Sequence, residues 1–177
     1  MDLGNCEKYY QYGTVGSIYN PPIKVNKIYP DAHLPTYGSR YAACADLYAY
    51  IGFDDATVVD KDGNRCVVIR PHETVKVHTG LRMAPPEGWY IQGFARSGLS
   101  TKHGLAPVNA VPIIDQDYRG EIIIPLHNYS NISQMITHGD RIAQMAVIPF
   151  WQADFEEVSE LDETERGAGG FGSTGKQ

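Results

Sequence analysis

The chain of 177 residues suits one domain with a sizeable core, and its 42% apolar and 20% charged residues are ordinary for a soluble globular protein. A net charge of −6 argues against nucleic acid as the main partner, because phosphate backbones are bound by basic faces. The 3 cysteines show no CxxC spacing, and no apolar run has the length of a membrane span or a signal segment. We therefore expect a cytoplasmic protein with reduced thiols that binds neither membranes nor nucleic acid.

Abundant turn residues, 18 Gly and 11 Pro, separate short apolar runs and predict an all-β fold. Residues 1–22 are rich in Tyr, Gly and Asn and predict an N-terminal arm outside the core. Residues 23–151 are expected to form the β-barrel domain, and residues 152–177 a C-terminal arm. Strands are predicted where apolar and polar residues alternate or where apolar runs are short. They cover residues 23–28, 66–69, 74–78, 89–92 and 142–149.

Small residues surround Asp46 in the segment 41–49. Either the backbone approaches a ligand closely there, or a tightly packed strand carries a solvated carboxylate. Gln144 raises a similar question within the apolar run 142–149, because its amide either faces a ligand or is satisfied by the backbone. Residue types alone favour the packed strand at Asp46 and leave the question at Gln144 open.

A short helix is predicted between Ser97, as its cap, and Gly104, where it stops. Arg96, a hydroxyl and a glycine beside backbone N–H groups form an anion site in principle. A capped surface turn explains the same spacing equally well.

Two β-branched runs surround a Gly-bearing turn in residues 109–124 and predict a β-hairpin. Asp115 ends the first run, and Gly120 precedes the second. A carboxylate at such a tip has the fixed geometry that a general base needs, although Asp is also an ordinary turn-former.

The acidic segment 152–165 favours a linker over a short helix. Residues 166–175 contain five glycines, which predicts either a disordered tail or a flexible phosphate-binding flap. The spacing Gly167, Gly169 and Gly172 matches a dinucleotide fingerprint, but that signature needs a strand before it and a helix after it. Neither element is predicted beside these glycines, so the dinucleotide interpretation is rejected.

Five ordered boxes together resemble the trimeric deoxyuridine triphosphate nucleotidohydrolase (dUTPase) family. They read AACADLYA (42–49), ARSGLSTKHG (95–104), NAVPIIDQDYRGE (109–121), GDRIAQMAVIP (139–149) and RGAGGFGSTG (166–175). The resemblance implies a distorted jelly-roll β-barrel with one short helix and a flexible Gly-rich C-terminal arm. It also implies a homotrimer with shared active sites, and hydrolysis of dUTP to dUMP and pyrophosphate with Mg²⁺.

The resemblance assigns three roles around the reacting phosphate. Asp115 resembles the base that activates the attacking water. Tyr118 resembles the ring that packs against deoxyribose and excludes a 2′-hydroxyl. Asp46 resembles the carboxylate that holds magnesium through water. The third box departs from the family pattern at Pro112, where Gly is usual.

Further substrate contacts are implied in the same way. Those to uracil and its surroundings are Asn109, Ala110, Ile113, Ile114, Ile123 and the stacking ring of Phe171. Those to the phosphates are Arg96, Ser97, Gly98, Gln144, Arg166, Gly172, Ser173 and Thr174.

Two other functions remain to be separated from this one. Related deoxycytidine triphosphate deaminases share the barrel, but they carry a catalytic Glu near the third motif and lack the IDxDY pattern. A catalytically idle nucleotide-binding module would also use this scaffold, although an intact Asp115 and a complete tail argue against it.

Overall fold

The computed structural model describes residues 21–52 and 57–170, so most of the predicted N-terminal arm and all of residues 171–177 of the tail lie outside it. Within these ranges the chain forms thirteen strands and one short helix. They are β1 (Lys24–Lys27), β2 (Thr36–Tyr37), β3 (Ala45–Tyr48), β4 (Val58–Val59), β5 (Arg65–Ile69), β6 (Thr74–His78), β7 (Leu81–Ala84), β8 (Trp89–Phe94), α1 (Ser97–His103), β9 (Leu105–Pro107), β10 (Ile113–Ile114), β11 (Ile123–Asn128), β12 (Gln134–Thr137) and β13 (Arg141–Pro149).

The strands pair antiparallel in four sheets. The largest has the order β10–β8–β13–β3–β2, and the others are β1–β7, β6–β11–β9 and β12–β5–β4. This arrangement is a jelly-roll-like all-β fold with one short helix in its described part, which confirms the predicted fold class. No helix among the described residues is long and apolar enough to cross a membrane.

Side chains alternate between the interior and the surface along most strands, as expected where one face of a sheet is buried. In β11, Ile124 and Leu126 are fully buried while the intervening Pro125 is half-buried. Apolar side chains from all four sheets pack together in one core. Its largest fully buried apolar side chains are Leu47, Ile69, Leu81, Ile91, Leu105, Ile122, Ile124, Leu126, Ile136 and Ile142.

The hairpin predicted over residues 109–124 is wrong in its pairing. The strand β10 pairs with β8, where Ile113 lies opposite Gln92, and β11 pairs with β6 and β9. The strands that form the hairpin are therefore β9 and β11, and β10 lies on the connection between them. Asp115 consequently leaves the edge of the five-stranded sheet rather than the tip of a two-stranded ribbon.

The helix begins at Ser97, but its N-cap position belongs to Arg96, whose backbone is extended (φ −86°, ψ 129°). The prediction that Ser97 caps the helix is wrong, because the helical backbone starts one residue earlier than a cap at Ser97 requires. Gly104 ends the helix as predicted, with a left-handed φ of 66° that suits glycine. Residues 152–164 form no helix or strand and are exposed, which favours the linker interpretation of that described segment.

Asn128 is the polar side chain that ties β11 to the loop before β12. It is fully buried, and its amide donates to the carbonyls of Ile69 (3.0 Å) and Ile132 (2.8 Å). Its carbonyl accepts hydrogen bonds from the backbone and the hydroxyl of Ser130, at 2.9 and 2.7 Å. Such a fully bonded buried amide fixes one conformation of the loop.

We expect Asn128→Ala to lower the free energy of unfolding by about 2–3 kcal/mol, because it removes the four hydrogen bonds of a fully buried amide and opens a cavity. Asn131→Ala is the matched control, since the Asn131 amide bonds only the exposed ring of His72 among the described residues, at 3.2 Å. Urea denaturation measures both variants. Equal losses would show that the buried amide network is unimportant.

Candidate functional site

Four of the five boxes lie on or beside the five-stranded sheet. Gln144 on β13 lies opposite both Asp46 on β3 and Phe94 on β8. Arg96 follows β8 by two residues, and Asp115 follows β10 directly. Cross-strand pairing therefore brings together residues that are far apart in the sequence.

A cleft of about 190 Å³ lies against the connection between β9 and β11. It brings together six of the predicted site residues, namely Asn109, Ile113, Ile114, Asp115, Tyr118 and Ile123. A second, more apolar cavity of about 200 Å³ also borders Asp115, and its walls include the edge-to-face rings of Tyr90 and Phe150. The exposed Asp115 carboxylate thus lies at the boundary between two cavities.

Asp115 is also the first residue of a β-turn, because its carbonyl accepts the N–H of Tyr118 at 3.2 Å. The hydroxyl of Tyr118 donates to the carbonyl of Glu121 at 3.0 Å. The Tyr118 ring lies directly over Gly120, where an added Cβ would approach the hydroxyl oxygen to 2.3 Å. The position of the ring therefore requires glycine at 120.

Pro112 is buried, and it packs against Gly93, where an added Cβ would lie 3.0 Å from the proline ring. Its carbonyl accepts the N–H of Gly93 at 2.7 Å, so a proline here keeps the hydrogen bond that joins β10 to β8. Ala110 nearby has φ of 57°, a region that residues other than glycine rarely occupy. Such strain often marks a functional loop, and Ala110 is one of the predicted uracil contacts.

A second cluster centres on the carboxylate of Asp46, whose side chain is 13% exposed. Arg96 Nε donates to Oδ1 at 2.8 Å, and Arg141 Nη1 donates to Oδ2 at 3.2 Å. Arg96 Nη1 also donates to the carbonyl of Arg141 at 3.0 Å. Because a guanidinium has five N–H donors, Arg96 retains others for an anion.

Other predicted phosphate contacts adjoin this cluster. The amide of Gln144 donates to the carbonyl of Ala95 at 3.2 Å, so the backbone holds that side chain next to Arg96. Ser97 and Gly98 are exposed at the start of α1, and the space where a Cβ would lie on Gly98 is open.

The residues around Asp46 fit magnesium that is bound through water. Each carboxylate oxygen has a second lone pair beyond its arginine bond, which a metal-bound water can use. Among the described residues, no group of three His, Cys, Asp or Glu side chains is arranged to hold a metal ion. Magnesium in proteins is commonly held by one or two carboxylates together with substrate phosphates, which matches this donor set.

The tail residues are not brought into either cluster by the described contacts. Arg166 forms a local turn, in which its Nε donates to the carbonyl of Gly169 at 2.9 Å. The predicted contacts Phe171, Gly172, Ser173 and Thr174 lie outside the described residues. Sequence reasoning missed Arg141 and Glu121 as parts of the site, although both stand inside the quoted boxes.

A family model for dUTPase matches residues 31–175 of the chain. Among known proteins, the deoxyuridine 5′-triphosphate nucleotidohydrolase of Nautilia profundicola is 42% identical over 154 residues. That alignment covers 87% of this chain and 99% of the relative. Similarity at this level extends over most of this chain and nearly all of the relative.

Solved structures of dUTPases share the fold. The dUTPase of Staphylococcus bacteriophage 80alpha, solved with dUPNHPP, matches with a TM-score of 0.74 and 24% identity over 88% of this chain and 99% of that chain. A phage phi11 dUTPase from S. aureus, whose structure details a structural Mg(II) ion, matches with a TM-score of 0.67 and 20% identity, covering 80% and 99% of the two chains. At such low sequence identity these two structural similarities establish only the fold.

Proposed function

The chain belongs to the dUTPase family, and we propose that it is a dUTP diphosphatase that hydrolyses dUTP to dUMP and pyrophosphate. The observation that carries this function is the family match over residues 31–175. The cleft beside Asp115 and the arginines around Asp46 support it, because they provide a carboxylate and cationic donors on one sheet. In the cell, such an enzyme controls the dUTP pool and supplies dUMP for thymidylate synthesis.

Asp115 acts in this proposal as the general base. It takes a proton from a water molecule as the water oxygen bonds to the α-phosphorus. The bond between the α-phosphorus and its bridging oxygen breaks, and pyrophosphate leaves. The β-turn hydrogen bond at Asp115 supports this role, since a general base must be held within hydrogen-bond reach of its proton.

Arg96, Ser97, Gly98 and Gln144 are proposed to bind the phosphates, and Asp46 to hold Mg²⁺ through water. Mg²⁺ supplies neutralisation of the charge that develops on the phosphate oxygens. Asn109, Ala110 and the backbone around Ile113, Ile114 and Ile123 are proposed to read uracil. These last residues surround or adjoin one cleft, which supports a common ligand.

A homotrimer is proposed as the active assembly, with each site completed by the tail of a neighbouring chain. Arg166, Ser173 and Thr174 would bind the γ-phosphate, with Gly172 beside them, and Phe171 would stack on uracil. The described contacts of one chain do not bring Arg166 to the cleft or to the Asp46 cluster, which supports completion of each site by another chain.

The direct test measures pyrophosphate release from dUTP with Mg²⁺, in parallel with dCTP, UTP and dTTP. We expect dUTP to be the strongly preferred substrate, because uracil and cytosine differ in their donor and acceptor pattern. Ammonia release from dCTP would instead identify a deaminase. Nucleotide binding without pyrophosphate release would identify an idle binding module.

Tyr118→Ala is expected to raise kcat/KM for UTP relative to dUTP by about 10-fold or more, because removal of the ring opens space at the 2′ position. The ratio for dCTP relative to dUTP should change much less, since the base-reading backbone is untouched. Parallel kcat/KM measurements on the three nucleotides check this. Equal changes for both competitors would show that the ring does not read the sugar.

A further inference from the structure

We propose that Glu121 is a positioning residue that sets discrimination between deoxyribose and ribose by holding the ring of Tyr118. This role rests on the proposed contact between that ring and the sugar. It adds Glu121, together with His78 and the β6–β7 turn, to the determinants of substrate specificity.

The carboxylate of Glu121 joins the connection between β9 and β11 to the turn between β6 and β7. Its Oε1 accepts the N–H of Gly80 at 2.8 Å, and its Oε2 pairs with Nδ1 of His78 at 2.8 Å. The Glu121 side chain is only 15% exposed, although His78 is 48% exposed. Hydrogen bonds to a charged acceptor in a partly shielded position are among the stronger ones in proteins.

The same residue also holds Tyr118 through its backbone. The Tyr118 hydroxyl donates to the Glu121 carbonyl, and the ring covers Gly120. Both the carboxylate and the carbonyl of Glu121 therefore lie on one path from the β6–β7 turn to the ring. The Glu121 carbonyl lies in one peptide plane with the N–H of Ile122, so the carboxylate acts on the ring through the Cα of Glu121 and through residues 118–120.

The neighbouring residue is anchored on either side of Gly80 by hydrogen bonds that do not involve the Glu121 side chain. Ile122 donates its N–H to the carbonyl of Leu81 at 2.9 Å and accepts the hydroxyl of Thr79 at 2.6 Å. Ile122 is also 2% exposed and belongs to the core. Loss of the carboxylate should consequently loosen residues 118–120 and the Cα of Glu121, while the peptide group between Glu121 and Ile122, β11 and the core keep their positions.

A loosened ring leaves room for a 2′-hydroxyl, so the expected defect is one of specificity. Base recognition should be largely preserved, because Pro112 and Ile113 are held by β8 and not by Glu121. Glu121→Gln keeps an oxygen that can accept the N–H of Gly80, and it should retain most of the discrimination. Glu121→Ala removes both bonds of the carboxylate.

The experiment measures kcat/KM for dUTP, UTP and dCTP in Glu121→Ala, Glu121→Gln, Tyr118→Phe and the double variant Glu121→Ala/Tyr118→Phe. We expect Glu121→Ala to lower the preference for dUTP over UTP by about 10-fold, with the preference over dCTP changed less than about 3-fold. Tyr118→Phe removes the hydroxyl that bonds the Glu121 carbonyl. In that background Glu121→Ala should have little further effect, because coupled residues give non-additive cycles.

His78→Ala provides a milder variant that keeps the bond to Gly80, and its preference for dUTP over UTP should fall by about 3-fold. The role of Glu121 would be overturned by additive effects of Glu121→Ala and Tyr118→Phe or by equal losses of preference over UTP and dCTP. A fall in thermal midpoint with unchanged preferences would also overturn it. Absence of dUTP hydrolysis by the unaltered protein would instead overturn the proposed function. The two failures are therefore distinguishable.

Discussion

Asp115→Asn is expected to lower kcat for dUTP by about 10²–10⁴-fold, equivalent to roughly 3–5 kcal/mol of activation free energy. The affinity for dUTP should stay within about 3-fold, because the amide has the same shape and the phosphates are bound elsewhere. The amide cannot accept the proton of the attacking water as a carboxylate does. Single-turnover kinetics and equilibrium binding of dUTP separate the two quantities.

Asp117→Asn is the matched control, since this second carboxylate lies in the same turn and is also exposed. It should keep near-normal kcat, because Asp115 and not Asp117 borders the two cavities. If Asp115→Asn retained near-normal turnover, or if both variants lost it equally, Asp115 would not be the base.

Ending the chain after Glu165 is expected to lower kcat by at least about 10²-fold, because the proposed γ-phosphate and uracil contacts of the tail are lost. Closure of the tail would also exclude water from the phosphates, so the loss should appear in turnover as well as in binding. Measurements of kcat and KM for dUTP before and after truncation check this effect.

The same truncation should leave the thermal midpoint and the oligomeric state unchanged. Residues 152–165 are exposed, and Arg166 bonds within its own turn. A chain that ends after Gly175 is the control, since it keeps the whole fifth box. Unfolding, failed assembly or normal turnover of the shorter chain would contradict the proposal that the tail is a lid.

Much of the fold could be predicted from the sequence, because local patterns specify strands. The alternation in residues 74–78 and the apolar run at 142–149 correspond to β6 and β13. The end of the helix at Gly104 was predictable for a similar reason, since glycine is suited to the left-handed conformation found there. Each of these features depends on a few adjacent residues.

Strand pairing was harder to predict, because it depends on tertiary partners. The runs on either side of Asp115 have the composition of a hairpin, but β10 finds a better partner in the edge of β8. The sharing of Asp46 by two arginines was also hidden, since Arg96 is 50 and Arg141 is 95 positions away in the sequence. The family resemblance named candidate site residues, but not the contacts that hold them.

The order of strands in the largest sheet has a consequence for how the protein folds. Its central pairs join β3, β8 and β13, which come from the beginning, middle and end of the described chain. Long loops must close before such pairs gain any stabilisation, so this topology belongs to the slower-folding class. Asp46, Arg96 and Gln144 meet only after β13 has joined the sheet. A nascent chain therefore cannot bring Asp46 next to Arg96 until nearly all of the strands have been synthesised.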